Sequence, residues 1–517
     1  MALLKFEPGV SLDSEYDWTI IGCGAVGILS ALRLVEDGNK VLVLESGQHG
    51  ERAEYQALNQ GAFNREDIAS SATWGRKRAL GGTTIRWGGQ ALPFRQVDFT
   101  NRKSDLGTWL LEASDLEEDY KHAEKFMRVG HLDYWDVLES QSGNLRIAEG
   151  LQYHYSKWAP EPNMFKVHGR RLCKVADVLM GAHVLEPIVE EKDGSSRIAS
   201  LRVGSLEGFQ QEIPVRNVIL ANGGMESTRF MVLHGLSSAQ LLGKGFMEHP
   251  CADLGVCRTR MSLPLQRQFG TRMIKGKKYS VRLSLSEALE EKEQFLASSA
   301  SLMFEENTGQ TPSPLTRIRR VGKGNLKELW GLIQSIPDFL IAAREYLCYG
   351  IAYRPHPSIR ITVMAEQGAL SESQIGIDEK QLDHFGQPRI KINWTFDQRT
   401  LDSVRRLAGL VKETLESNEF LETEVELADW LERDDFSEFQ DEFNSVNHHM
   451  GGAVMGREDD GAVVDDQLRV YGMENLRLFS SAVFPSSSHS NPTLTAMALA
   501  HRSLRILKSN PRPIVPQ

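Results

Sequence analysis

The sequence predicts an α/β fold: a parallel sheet covered by helices, joined to a second region of antiparallel strands. Three stretches carry that prediction. "DWTIIGCGAVGILSALRLVEDGNKVLVLESG" runs strand, glycine turn, helix, strand. "NVILANGGMESTRFMV" (217–232) takes another short buried strand into Gly223-Gly224 and a helix, as a chain does when it re-enters the same sheet. "SIRITVMAEQ" and "PRIKINWTF" alternate apolar and polar residues with the period of two of a half-buried strand.

In the first stretch, Thr19-Ile20-Ile21 is a β-rich run, and a helix over Ala25–Glu36 follows, stopped by Asp37-Gly38. Val41–Leu44 is the next strand and ends on Glu45, beside Ser46. Gly22, Gly24 and Gly27 between strand and helix fit GxGxxG. Gly22 permits the tight turn, Gly24 lets a pyrophosphate reach the backbone, and Gly27 lets helix and strand pack closely. Free N–H groups and the positive dipole end at Ala25 then face the phosphates. Glu45, 18 residues after Gly27, stands where a carboxylate accepts from ribose hydroxyls. Dinucleotide binding is therefore expected, with FAD and NAD both open at this point.

A second glycine-rich loop, "RALGGTTIRWGGQALPF" (78–94), offers Gly81, Gly82, Thr83, Thr84, Arg86, Trp87 and Gly88 to a polar planar group. "HVLEPIVEEKDGSSRIASLRVG" alternates about an Asp-Gly turn like a hairpin, and its Val189 is a candidate to line the nucleotide site, with Ala221 and Gly223 further on. "GFMEHP" (245–250) reads as a structural loop. Near the C-terminus, "NHHMGGAVMG" (447–456) sets His448 and His449 before a glycine pair, and Asn491-Pro492-Thr493 opens a helix. Asn at a helix cap and Pro at the first helical position have an ordinary structural use.

The totals narrow the class. A chain of 517 residues suggests two domains, or one with large insertions. A net charge of −10 argues against nucleic-acid binding. Five cysteines without CxxC spacing favour reduced thiols, and no metal motif is present. The opening "MALLKFEPGVSLDSEYDWTI" lacks a basic segment followed by a long apolar run, and no stretch is apolar for long enough to span a bilayer, so a soluble cytoplasmic protein is expected.

The order of segments, GxGxxG, "GGTTIRW", "ANGGMES" and a terminal "H…GG…MG…NPTLTA", resembles the glucose-methanol-choline (GMC) flavin oxidoreductases across nearly the whole chain. "GGTTIRW" and "NPTLTAMALA" look closest to the pyranose oxidase and bacterial sugar dehydrogenase branch. The resemblance implies FAD, held by a Rossmann-like domain that is discontinuous in sequence (1–100, 168–255 and 440–517). It also implies a substrate domain built on an antiparallel sheet flanked by helices (101–167 and 256–439). It places the family's catalytic histidine on His448, with His449 the rival under a one-residue shift, and the second member of the pair on Asn491. His489 is a weaker candidate. The branch carries a flavin-linking histidine where this chain has Arg86, which implies non-covalent FAD.

The implied reaction removes a proton from an alcohol oxygen and a hydride from its carbon, oxidising a sugar, glycoside or polyol to the keto form. An apolar alcohol, a non-redox lyase of the hydroxynitrile type, and an electron-relaying subunit remain open alternatives, and the electron acceptor is unknown. The apolar stretch 325–353, preceded by "RIRRVGKGNLK", reads as a pair of amphipathic helices buried on the substrate domain. The other reading is a docking surface for an acceptor or a membrane.

Overall fold

The structure is a computed structural model that describes residues 2–12, 15–100, 106–135, 145–192, 195–306, 336–433 and 439–509. Its first sheet has six parallel strands in the order Leu3–Lys5, Asp177–Met180, Val41–Glu45, Trp18–Ile21, Asn217–Leu220, Leu476–Leu478. The Ala25–Glu36 helix spans the residues predicted for it. Its Ile28, Ala31 and Leu32 are buried, and it packs against the Pro492–Ser509 helix and the Met164–Val175 helix. The central strands are buried on both faces, which is why they read as unbroken apolar runs.

A three-stranded antiparallel sheet of His183–Lys192, Ser195–Gly204 and Gln210–Pro214 contains the predicted hairpin. The largest sheet is antiparallel. Its order is Thr423–Leu427, Cys251–Thr259, Pro357–Ala365, Ser298–Glu306, Lys277–Leu285, Leu151–Trp158, Gln90–Ala91, with Arg272–Ile274 pairing Lys277–Leu285. The amphipathic Gln398–Ser417 helix lays Leu401, Val404, Leu407, Ala408, Val411 and Leu415 on this sheet, a spacing of three and four that gives one apolar face. Separate buried cores sit about the parallel and the antiparallel sheets.

Two expectations need correction. "PRIKINWTF" forms the strand Pro388–Asn393, antiparallel to Gln374–Leu382 as expected, but in a small mixed sheet where it also runs parallel to Gly61–Phe63. Alternation reveals a strand's buried face and says nothing about its partner. Of the apolar stretch 325–353, residues 325–335 lie outside the described residues, and Ile336–Tyr349 is a helix. That helix is not buried: Leu347 is 82% exposed, Ile336, Phe339, Leu340, Tyr346 and Tyr349 are also exposed, and only Glu345 is buried, held by Arg267 at 2.7 Å. Among the described residues no helix is long and apolar enough to cross a membrane.

Candidate active site

The turn after Trp18–Ile21 opens a cavity. Gly22 sits at φ 109°, and a Cβ on Gly27 would lie 2.1 Å from the Gly22 carbonyl oxygen, so helix and strand approach too closely for any side chain there. A Cβ on Gly24 would meet nothing within 4 Å, because Gly24 faces the cavity. Ala25, Glu45 and Ser46 line the same space. Glu45 accepts hydrogen bonds from Cys23 N–H (2.9 Å) and Gly47 N–H (2.8 Å), so this carboxylate also ties the turn to the second strand. Burial raises its pKa, and the two N–H groups oppose that shift.

The second glycine loop meets the first. Gly81 donates to the Cys23 carbonyl at 2.9 Å, and a Cβ on Gly82 would lie 3.0 Å from Gly24 Cα. Gly82, Thr83, Thr84 and Trp87 face the cavity, as do Ala221, Gly223, Pro492 and Thr493. Arg86 lies at an adjoining cavity lined by Lys77, Thr83 and Asn491, and pairs with Glu51 at 2.5 Å. Gly27 and Gly81 shape the wall without lining it. Val189 corrects the expectation made for its strand: it is exposed, and Val184, with Ala182 and His183, takes the lining position. Two glycine turns back to back, a helix N-terminus and an open strip over Gly24 fit an extended dinucleotide.

A neighbouring cavity of about 280 Å³ is lined by His448 and Asn491 together with Trp87, Gly88, Gln90, Trp158 and Arg282. Asn491 Nδ2 lies 3.0 Å from His448 Nε2. Asn491 immediately precedes the Pro492–Ser509 helix, yet its buried Oδ1 has no hydrogen-bond partner among the described residues, so the side chain does not cap the helix. On the other side of the ring, His448 Nδ1 lies 2.8 Å from His249 Nδ1, and His249 Nε2 lies 3.1 Å from the Ser487 carbonyl.

This chain of contacts has one consistent direction. A carbonyl only accepts, so His249 carries its proton on Nε2. Burial holds the His249 pKa down, to about 4, so the ring is neutral and its Nδ1 is an acceptor. His448 must then donate from Nδ1, which leaves the Nε2 lone pair facing the Asn491 amide and the cavity. The His448 pKa is lowered well below the ordinary imidazole value by burial first, then by His249, His449 and Arg282.

His449 has different company. Its Nε2 lies 2.7 Å from Ser71 Oγ and 3.6 Å from Glu248, and it borders the dinucleotide cavity rather than the one shared by His448 and Asn491. Its pKa is lowered to about 3, chiefly by burial. His489 is wholly buried, with neither ring nitrogen partnered among the described residues.

Local backbone geometry explains the convergence. Asn447 lies at φ 67° and turns His448 inward. Gly451 and Gly452 follow at φ 70° and 94°, and a Cβ on Gly451 would lie 1.9 Å from the Gly245 carbonyl oxygen. That close crossing lets Met247 and Met450 exchange two backbone hydrogen bonds of 2.8 Å, which sets "GFMEHP" beside "NHHMGG". Glu248 then accepts from the backbone N–H groups of His448 (2.6 Å) and His249 (2.9 Å) and from Ser445 Oγ (2.8 Å), locking both loops. Burial pushes Glu248 up to about 7 against those donors.

The residues missed from the sequence are Glu248, His249, Ser71 and Arg282. Only the histidine of "EHP" carried a usable signal, as a titratable group in a loop ending on proline.

The family model described as GMC oxidoreductase matches residues 369–500. The chain is 22% identical to the oxygen-dependent choline dehydrogenase of Acinetobacter baumannii (strain AYE), over 97% of this chain and 98% of that one. It is 21% identical to the fructose dehydrogenase large subunit of Gluconobacter japonicus, over 94% and 96%. The crystal structure of pyridoxine 4-oxidase from Mesorbium loti superposes with a TM-score of 0.58 at 16% identity, covering 96% of this chain and 100% of that one, so the two share the fold.

Proposed function

The chain belongs to the GMC oxidoreductase family, and on that premise we propose that it oxidises a small alcohol, of the sugar, glycoside or polyol type, to the carbonyl with FAD bound non-covalently. The observation that carries this reading is the one-way hydrogen-bond chain Ser487–His249–His448–Asn491, which leaves a lone pair on His448 Nε2 at the edge of a cavity beside the dinucleotide site.

FAD, when bound, supplies the acceptor for a hydride. The protein's own residues handle the proton. The substrate hydroxyl enters between His448 and Asn491, donating to Nε2 and accepting from the Asn491 amide. His448 takes the proton as the carbon–hydrogen bond yields its hydride, and the Asn491 N–H steadies the developing negative charge on oxygen. His448 then holds a proton on each ring nitrogen. We assign the base to His448 and a structural role to His449, whose Nε2 is engaged by Ser71. Arg86 supports non-covalent attachment, since a guanidinium forms no flavin bond and this one is paired with Glu51. The five free cysteines fit a reducing compartment such as the cytoplasm.

The test is anaerobic mixing of the holoprotein with a panel of sugars, polyols and apolar alcohols, following the visible flavin band. Bleaching by polyhydroxylated alcohols supports the proposal. A yellow protein that no alcohol reduces, yet that cleaves a hydroxynitrile, would replace it with the lyase reading.

A further inference from the structure

The cavity that holds His448 and Asn491 also holds an arginine with no counter-charge among the described residues. Arg282 lies on the strand Lys277–Leu285, opposite His154 in the neighbouring strand. Its Nη1 donates to Ser299 Oγ at 2.8 Å, and its Nη2 lies 3.5 Å from Gln90 Oε1. Its buried Nε has no hydrogen-bond partner among the described residues, and no carboxylate there forms an ion pair with it. Elsewhere the buried Arg95 has Asp98 and Glu290, and Arg229 has Glu226 and Asp383, while Arg272, buried with its Nε likewise unpartnered among the described residues, lines none of the cavities described above. A guanidinium partly removed from water without an anion is costly, and burial lowers the Arg282 pKa to about 10.

The rest of the cavity is neutral. Ser299, Ser301, Thr362 and Gln90 supply hydroxyl and amide groups, Trp87 and Trp158 supply flat apolar faces, and no Asp or Glu is among its lining residues. We propose that Arg282 receives a carboxylate of the substrate, so that the alcohol oxidised is a hydroxy acid of the sugar-acid type. This rests on the alcohol-oxidation reading above and adds the substrate's charge to it. The planar guanidinium matches a planar carboxylate, and the hydroxyl-bearing strands suit a polyhydroxylated chain. A cationic alcohol meets the same charge as repulsion. The placement has a catalytic corollary: Arg282 also depresses the His448 pKa, so the group that anchors the substrate helps keep the base neutral.

The test uses the FAD-loaded protein and separates binding from turnover. Calorimetry with tetrahydropyran-2-carboxylate, neutral tetrahydropyran and methyl phosphate reports recognition without oxidation. Anaerobic flavin reduction with the pairs gluconate and glucose, and glycerate and glycerol, reports turnover. The carboxylate is expected to bind at least about tenfold tighter than the neutral ring, Arg282→Gln to weaken it by about 30-fold, and Arg282→Lys to keep part of the affinity. The acid of each pair is expected to reduce flavin faster. Equal binding of the neutral ring, unchanged carboxylate binding in Arg282→Gln, or binding of methyl phosphate alone overturns the assignment. If Arg282→Gln fails to fold, the wild-type comparison and Arg282→Lys decide. If no alcohol reduces the flavin while carboxylate binding still depends on Arg282, the alcohol-oxidation reading falls and the anion site stands.

Discussion

His249 and His448 meet Nδ1 to Nδ1 at 2.8 Å, and only one proton fits between them. The Ser487 carbonyl fixes whose proton it is. A residue outside the cavity lining thereby determines which nitrogen of His448 faces substrate.

Replacing the base itself has the largest effect expected. His448→Ala should slow anaerobic flavin reduction by about 10²–10⁴-fold, the usual contribution of a positioned general base. His449→Ala should cost far less in rate, because its ring faces Ser71. Stopped-flow reduction of both variants decides between them, and equal losses would sink the assignment.

His249→Ala frees His448 to put its proton on Nε2, the unreactive tautomer. A rate loss of about 10–100-fold is expected with little change in KM. A rate of flavin reduction unchanged in His249→Ala would show His249 to be packing alone.

In the wild type, the low His448 pKa predicts no loss of activity as pH falls through 6.5. A step near 7 would belong to Glu248, and Glu248→Gln should remove it. Rate measurements from pH 5 to 8 on both proteins test this.

Acid stability follows a similar logic. His249 is depressed from 6.5 to about 4, so between those values the unfolded chain binds more protons than the folded one. Its contribution is fully present above pH 6.5 and is lost as pH falls through 4, on the order of 3 kcal/mol for this group. His449, His154 and His183, each lowered to about 3, act in the same direction. Denaturant midpoints should therefore begin to fall below about pH 6.5, and a midpoint flat down to pH 5 would contradict this.

The two glycines of the first turn should fail differently. Gly24→Val points into open cavity and should give a folded protein that does not retain FAD. Gly27→Val forces a side chain against the Gly22 carbonyl and should lower the melting temperature of the apoprotein. Flavin content and circular dichroism separate the outcomes.

The part of the fold with local determinants was legible. The unit from Trp18 to Glu45 follows from apolar runs and glycine spacing, which depend on neighbours in sequence. His448 and Asn491 were legible only through family resemblance, because a histidine pair before glycines and an Asn-Pro helix start are both common. His249 was missed since its role arises where two loops 199 residues apart cross. Val189 was misplaced by register: the hairpin shifts between Val184 and Glu186 and again between Ile188 and Val189, and each shift alters which side chains face the cavity. Arg282 sits in an ordinary alternating strand, and nothing local marks an arginine that lacks a counter-charge.

Phe479, Ser480 and Ser481, which follow the strand Leu476–Leu478, and the Pro492–Ser509 helix complete a cavity whose first glycines are Gly22 and Gly24. During synthesis the nascent chain therefore carries half a cofactor cradle while more than four hundred residues are still to come. The cradle closes only once the Pro492–Ser509 helix has been made, so flavin capture waits on that helix, and a ribosome that stalls before it leaves a chain with the glycine turns in place and no closed site to hold the flavin.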